Sequence, residues 1–164
     1  MTVYHESFKV KSVLPPTFHE VTEKVKEIVS KSKVKNGIAV VYSQHTTCSI
    51  MIQEDSHDVT QRGTKFLLQD LLNVFEKIIP MCRYENQYLH PGPEHIKHAE
   101  RVGEPGRWSL NTDAHLRSSI IGRSESIPII DGKLELGING LIYFVDFDVL
   151  RERERFVHVQ IVGE

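Results

Sequence analysis

The reading of the fold turns on Gly37-Ile38-Ala39-Val40-Val41-Tyr42-Ser43-Gln44-His45-Thr46-Thr47-Cys48-Ser49-Ile50-Met51-Ile52-Gln53-Glu54-Asp55. Residues 38–42 form an unbroken apolar run rich in β-branched side chains, which reads as a buried strand. Residues 48–52 read as a second. Between them stands Gln44-His45-Thr46-Thr47, which is neither a tight-turn sequence nor a strand interior. A histidine and three hydrogen-bonding side chains between two buried strands suggest a site at a strand end, since loops held by rigid scaffolds carry function disproportionately. The competing reading is that His45 and the threonines only satisfy loose backbone groups there.

Upstream, Tyr4, Phe8 and Val10 share one parity while His5, Lys9 and Lys11 share the other, so residues 3–13 read as a half-exposed strand stopped by Pro15-Pro16. Thr17-Phe18-His19-Glu20 reads as a capping box, and Val21, Val25, Ile28 and Val29 extend it into an amphipathic helix over residues 18–31. Downstream, Val59, Gly63, Phe66, Leu67, Leu71, Val74, Phe75 and Ile78 predict a long helix over about 58–78, ended by Pro80. Residues 80–110 are Pro- and Gly-rich, with Pro93 suited to open a short helix and Gly103 to lie beyond its end. Asn111 is a good cap for a helix whose buried side is Ala114, Leu116, Ile120 and Ile121. Ile127 to Leu136 is a hairpin about Asp131-Gly132, with Pro128 placing its first strand at or near an edge. Leu141–Phe147 reads as a central strand. Phe156–Val162 places Val157, Val159 and Ile161 inward. Arg151-Glu152-Arg153-Glu154-Arg155 reads as a solvated turn. The order of elements gives an α+β class with a mostly antiparallel core and segregated helices.

The 164 residues fit one domain, residues 1–164, with a real core. The net charge of −2 and the lack of a basic-aromatic cluster argue against a nucleic-acid partner. No apolar run approaches the roughly 20 residues that span a bilayer, so no membrane partner is expected. Two cysteines, Cys48 and Cys82, make no disulfide framework, and a cytoplasmic location fits best.

The candidates for chemistry are spread along the chain. A catalytic metal site needs three protein ligands and an open position, with imidazole a common donor for zinc. His45 at a strand end, His90 in the long loop and His115 in a first helical turn are the candidates, each also readable as an ordinary structural histidine. His95 and His98, with Glu94, form a competing set that reads as a solvated helix face. Glu54 follows a buried strand directly and suits a general acid or base, or else a simple helix-start carboxylate. The helix start at residues 111–114 offers backbone N–H groups to an anion, with Ser124 adding a hydroxyl.

His45-Thr46-Thr47 with Ile52-Gln53-Glu54, Tyr88-x-His90, and Asn111-x-x-Ala114-His115-Leu116 resemble the YjbQ-like family. So do Gly122-x-Ser124-x-x-Ile127-Pro128, Asp131-Gly132-Lys133-Leu134-x-Leu136-Gly137 and Ile142-Tyr143-Phe144-x-Asp146-Phe147-Asp148, and the pieces span nearly the whole chain. The resemblance implies a two-sheet, mostly antiparallel β-sandwich with helices packed to one side, assembled as a homotrimer. It implies low-level thiamine-phosphate synthase activity, a transferase reaction joining hydroxymethylpyrimidine diphosphate to a thiazole phosphate. Carried over by position, it implies a divalent metal, zinc first, on His45, His90 and His115. It makes Glu54 and His45 catalytic, and Thr46, Thr47, Asn111, Ser124 and Arg151 contacts to a phosphorylated substrate. The sequence departs from the family pattern at Gln53, Asn139, Gly140, Val149 and Leu150, and the segment from His90 to Asn111 is longer than usual. The alternatives are a non-catalytic trimer that binds a metal or phosphorylated metabolite, and a metal-dependent phosphoester hydrolase.

Overall fold

The apolar runs pair into two sheets, and the chain changes sheet between its two central strands. The computed structural model describes residues 1–13 and 16–164. The order is β1 (Thr2–Ser12), β2 (Thr17–Glu20), α1 (Thr22–Ser32), β3 (Gly37–Ser43), β4 (Cys48–Glu54), α2 (Phe66–Ile78), α3 (Pro93–Arg101), a 3-10 turn (Gly106–Ser109), α4 (Thr112–Ile121), β5 (Ser124–Ile130), β6 (Lys133–Leu134), β7 (Gly140–Asp146) and β8 (Arg153–Gly163). One sheet runs β1-β8-β3-β5-β6 and the other β2-β7-β4. Their strand pairings are antiparallel. This is the α+β two-sheet class that the sequence implies. Among the described residues no helix is long and apolar enough to cross a membrane.

The core between the sheets is built from Ala39 and Val41 of β3, Ile50 of β4, Ile127 and Ile129 of β5, Ile142 and Phe144 of β7, and Val157, Val159 and Ile161 of β8. Helix α1 adds Val25, Ile28 and Val29 to that core. A second core lies on the other face of the smaller sheet, where Leu68, Phe75 and Ile79 meet Met51, Tyr143, Val145 and Ala114. Strand β7 is therefore buried on both faces, which is why Leu141–Val145 is continuously apolar rather than alternating. Pro128 lies in β5, one strand in from the two-residue edge strand β6. Asp131 and Gly132 both take positive φ, as the two-residue hairpin requires.

Four expectations change. Thr17–Glu20 is not a helix cap but strand β2, paired with Tyr143–Asp146 of β7, so α1 starts only at Thr22. Pairing to an open edge of the smaller sheet outweighs the local capping signal. The long helix starts at Phe66, not near residue 58, because Gly63 at φ +81 closes a turn in which the Gly63 N–H donates to the Thr60 carbonyl at 2.9 Å. Gly63 is thus a turn glycine and carries no helix-interior penalty. The third is the buried side of α4: Ala114 is buried, but Leu116 and Ile120 are 40% and 62% exposed, and the helix turns Thr112, Asp113, Arg117 and Ser118 inward instead. The fourth concerns residues 151–155 and belongs to the site. Pro15, read as a stop signal, lies outside the described residues.

Candidate functional site

Residues 44–47 are the crossing between the sheets, and they form one wall of a cleft of about 500 Å³. His45, Thr46 and Thr47 line it together with Trp108, Asn111, His115 and the arginines 151, 153 and 155. The arginines alternate along the chain into β8, so period-two geometry sends all three to one face and the intervening glutamates to the other. Glu154 and Glu152 pair outward with Lys9 and Lys11 of β1 at 2.9 and 3.6 Å. The run is therefore not a solvated turn. Arg155 is only 5% exposed.

Each guanidinium is held by a carboxylate. Arg155 makes a two-pronged bond to Asp146, Nε to Oδ2 at 2.7 Å and a terminal nitrogen to Oδ1 at 3.2 Å, and also donates to Thr47 Oγ1 at 3.1 Å. Burial works against the charge of Asp146, yet the bond to Arg155 leaves its pKa below the usual carboxylate value. Arg153 pairs with Asp148 at 2.8 Å. Arg151 bonds Glu104 at 2.7 Å and lies over the Trp108 ring, 4.1 Å from its centroid. Among the described residues, the Nε–H groups of Arg151 and Arg153 are buried without an acceptor. Unmade donors of this kind are costly in a protein interior, so two of them in one cleft wall favour an anionic occupant.

The imidazoles divide into two groups. His45 Nε2 accepts the Phe156 backbone N–H at 2.9 Å, which ties the crossing segment to β8 and commits that nitrogen. His90 lies beside His95 and His115, with ring centroids 4.6 and 5.8 Å away. Thr112 donates its hydroxyl proton to the His90 carbonyl at 2.5 Å, so His90 Nδ1–H must be the donor to Thr112 Oγ1 at 2.9 Å, leaving His90 Nε2 with a lone pair. Burial lowers the pKa of His45, His90 and His115, which favours the neutral imidazole at each. The structure therefore gathers His90, His95 and His115, with His45 set apart by its backbone bond. Among the described residues no three His, Cys, Asp or Glu side chains are arranged to hold a metal ion.

The other sequence candidates are placed as follows. Thr46 and Arg151 line the cleft, and Thr47, also in its wall, is engaged by Arg155. Asn111 is the N-cap residue of α4 but its side chain makes no cap bond; Nδ2 donates to Asp148 Oδ2 at 3.3 Å. The helix start is not open to an anion, because the buried Asp113 carboxylate accepts N–H groups there, including that of Cys82 at 3.0 Å. Ser124 lies past the C-terminal end of α4 and is exposed, so it adds no hydroxyl to the helix start. Glu54 ends β4 and lines a separate recess with Asp55, His57, Asp70 and Asn139. The seven-residue strand that starts at Cys48 carries it about 20 Å from the crossing segment.

Sequence reasoning missed Arg153, Arg155 and Trp108 as cleft residues, with Asp148 behind Arg153; His95 and His98 are exposed, as read, but also line the cleft. The signal for the arginines was present as the strict alternation of residues 151–155 continuing the parity of Val157, Val159 and Ile161.

Residues 6–164 match the family described as UPF0047 protein YjbQ-like. A UPF0047 protein of Methanocaldococcus jannaschii is 34% identical over 145 residues, covering 88% of this chain and 84% of the relative. The YugU protein of Bacillus subtilis is 24% identical, with 93% and 96% covered. A crystal structure from Sulfolobus solfataricus, described as a YbjQ-like protein of unknown function, superposes with a TM-score of 0.74 at 26% identity, covering 99% of this chain and 98% of that one. An uncharacterised YjbQ/UPF0047 family protein of Clostridium acetobutylicum gives 0.72 at 29% identity, covering 96% and 99%. The sequence match, the two-sheet architecture and these relatives agree: the chain belongs to the YjbQ-like UPF0047 family.

Proposed function

We propose that the cleft binds a phosphorylated small molecule, its phosphate oxygens against Arg151 and Arg153 and its remaining end toward His115. The observation that carries this reading is the pair of buried, acceptorless Nε–H groups on one wall. Glu104 occupies Arg151 in the protein alone, and Trp108 stacks behind it, so an incoming phosphate exchanges one oxyanion for another on a guanidinium already oriented.

The specific reaction is thiamine-phosphate formation in the cytoplasm. A carbon–nitrogen bond forms between the pyrimidine methylene and the thiazole nitrogen while the carbon–oxygen bond to pyrophosphate breaks. The leaving pyrophosphate takes the electron pair, and fixed guanidinium donors stabilise that charge. Glu54 takes no part in this proposal, because it sits in another recess. Homotrimer assembly is supported by an exposed apolar ridge on the outer face of the larger sheet, where Val3, Val162, Ile38 and Pro128 lie side by side across four strands. Light scattering on the purified chain reads the assembly directly.

The test uses both phosphorylated precursors with purified protein. Product above the no-enzyme background, lost in Arg153→Ala, supports the transferase. No product, with pyrophosphate still changing the fluorescence of Trp108, leaves a binding protein; no product and no fluorescence change refutes the cleft assignment. A divalent ion at His90, His95 and His115 is a second reading, favoured by the two ring contacts and the free lone pair of His90 Nε2, and it requires the rings to turn toward a common point that they do not now share. Elemental analysis of untagged protein tests it, and a metal content far below one per chain ends it.

A further inference from the structure

A second cavity, of about 700 Å³, lies between β2 and the start of α2 and shares no lining residue with the arginine cleft. We propose that it binds an amphipathic monocarboxylate, with the carboxylate on the Tyr143 hydroxyl and the Lys65 ammonium, Arg62 at the rim, and the apolar tail against Phe18, Leu68 and Leu72.

Tyr143 is the starting point. It is 2% exposed, and among the described residues its O–H has no acceptor. Strand β7 fixes its direction: Ile142 and Phe144 belong to the core between the sheets, so Tyr143 and Val145 face the helices. A phenylalanine would fill the apolar part of that site equally well. The phenol adds only an O–H, and an O–H in an apolar wall calls for an acceptor.

Lys65 stands beside it. Its ammonium is ion-paired with Asp55, and its pKa is raised by that bond first and then by donating toward the Tyr143 oxygen, which leaves the phenol's own O–H unmet. The chain thus sets a phenolic donor and a cation together at the edge of an apolar surface, which is the arrangement that recognises a carboxylate with a hydrocarbon body.

The charge count selects the monoanion. Lys65 and Arg62 supply two positive charges, while Asp55 at the Lys65 ammonium and Glu20 in the wall supply two negative ones. With the lining balanced, a dianionic phosphate would add two uncompensated negative charges and a singly charged acid only one, shared between Lys65 and Asp55. Phe18, Leu68 and Leu72 come from β2 and α2, so the tail is gripped from two elements. The turn that carries Arg62 is set by Gly63 in the left-handed region.

The experiment is calorimetric titration of octanoate into the intact protein. Saturable one-to-one binding is expected, weakened at least about tenfold by Tyr143→Phe and by Lys65→Met. Tyr143→Phe removes a single oxygen, and its melting temperature in the absence of octanoate is expected to hold or rise, which separates lost binding from lost folding. Octanamide, which keeps the tail and an acceptor without the charge, is expected to bind at least about tenfold more weakly. Saturating pyrophosphate is expected to leave octanoate binding unchanged, so this site and the arginine cleft stand or fall separately. No binding at millimolar octanoate, equal binding by Tyr143→Phe, equal binding of octanamide, or displacement by pyrophosphate overturns the proposal.

Discussion

Replacing Arg155 by Met should be among the most damaging single changes in the cleft wall, and the reason is Asp146. The Asp146 side chain is 1% exposed and that of Arg155 6%, and the pair is joined at 2.7 and 3.2 Å. Asp146 also accepts the Asp148 backbone N–H at 3.0 Å, so its carboxylate cannot swing out to water without breaking the β7 end. Methionine fills most of the arginine stem's volume but leaves a buried, unpaired charge. Breaking a buried pair from one side costs about 3–5 kcal/mol. For a domain of this length that lowers the melting temperature by about 6–20 °C. The assay is urea and thermal denaturation of both proteins from pH 7 to pH 5. In the parent, Asp146 has a lowered pKa, so its stabilising contribution is present above the unfolded carboxylate pKa and is lost as pH falls through the folded one. In the variant, burial without the cation raises the Asp146 pKa, so acidification neutralises the stranded charge and the gap between the two proteins narrows. Asp146→Asn in the same background should recover part of the loss. A loss under about 1 kcal/mol would place the pair among ordinary surface bridges, and a gap unchanged with pH would show that Asp146 is not the stranded group. Either result refutes the reasoning.

Arg153→Ala should weaken pyrophosphate binding by about 10- to 150-fold, the worth of charge-assisted hydrogen bonds, as read by the fluorescence of Trp108, the only tryptophan in the chain. Gly37→Ala should destabilise by at least about 1–3 kcal/mol in urea melts, since a Cβ there would sit 2.2 Å from the Val162 carbonyl oxygen, which β-sheet pairing holds in place. Burial lowers the pKa of His19, so the unfolded chain takes up a proton first on acidification and stability falls as pH drops below about 6.5. His19→Leu should flatten that slope between pH 7 and pH 5 in denaturation series, and an unchanged slope would remove His19 as a contributor.

The elements with strong periodicity were legible before any coordinates. Strands β3, β4, β7 and β8 and the Asp131-Gly132 hairpin announce themselves by apolar runs, alternation and turn chemistry. What was not legible depends on long-range pairing. Thr17–Glu20 carries a good local helix-start signal, and only the presence of β7 beside it makes it a strand. The site divides in the same way. His45, His115 and Arg151 were singled out and do line one cleft. Glu54 and Ser124 were singled out too, but strand and helix lengths carry them elsewhere. His95 is exposed, as its helix face suggested, but its contact with His90 was not legible, because His90 comes from a loop whose path no periodicity encodes.

The in-out alternation at the start of β8 makes the polarity of the cleft a property of strand alignment. Arg153 faces Ser12, Glu154 faces Lys11 and Arg155 faces Val10. Sliding β8 by one residue would swap basic for acidic side chains all along that wall, setting Glu152 and Glu154 against Asp146 and Asp148 while the displaced arginines met the lysines of β1. Misalignment is thus penalised twice by like-charge repulsion, and a chain that closes the sandwich correctly acquires its anion receptor in the same event.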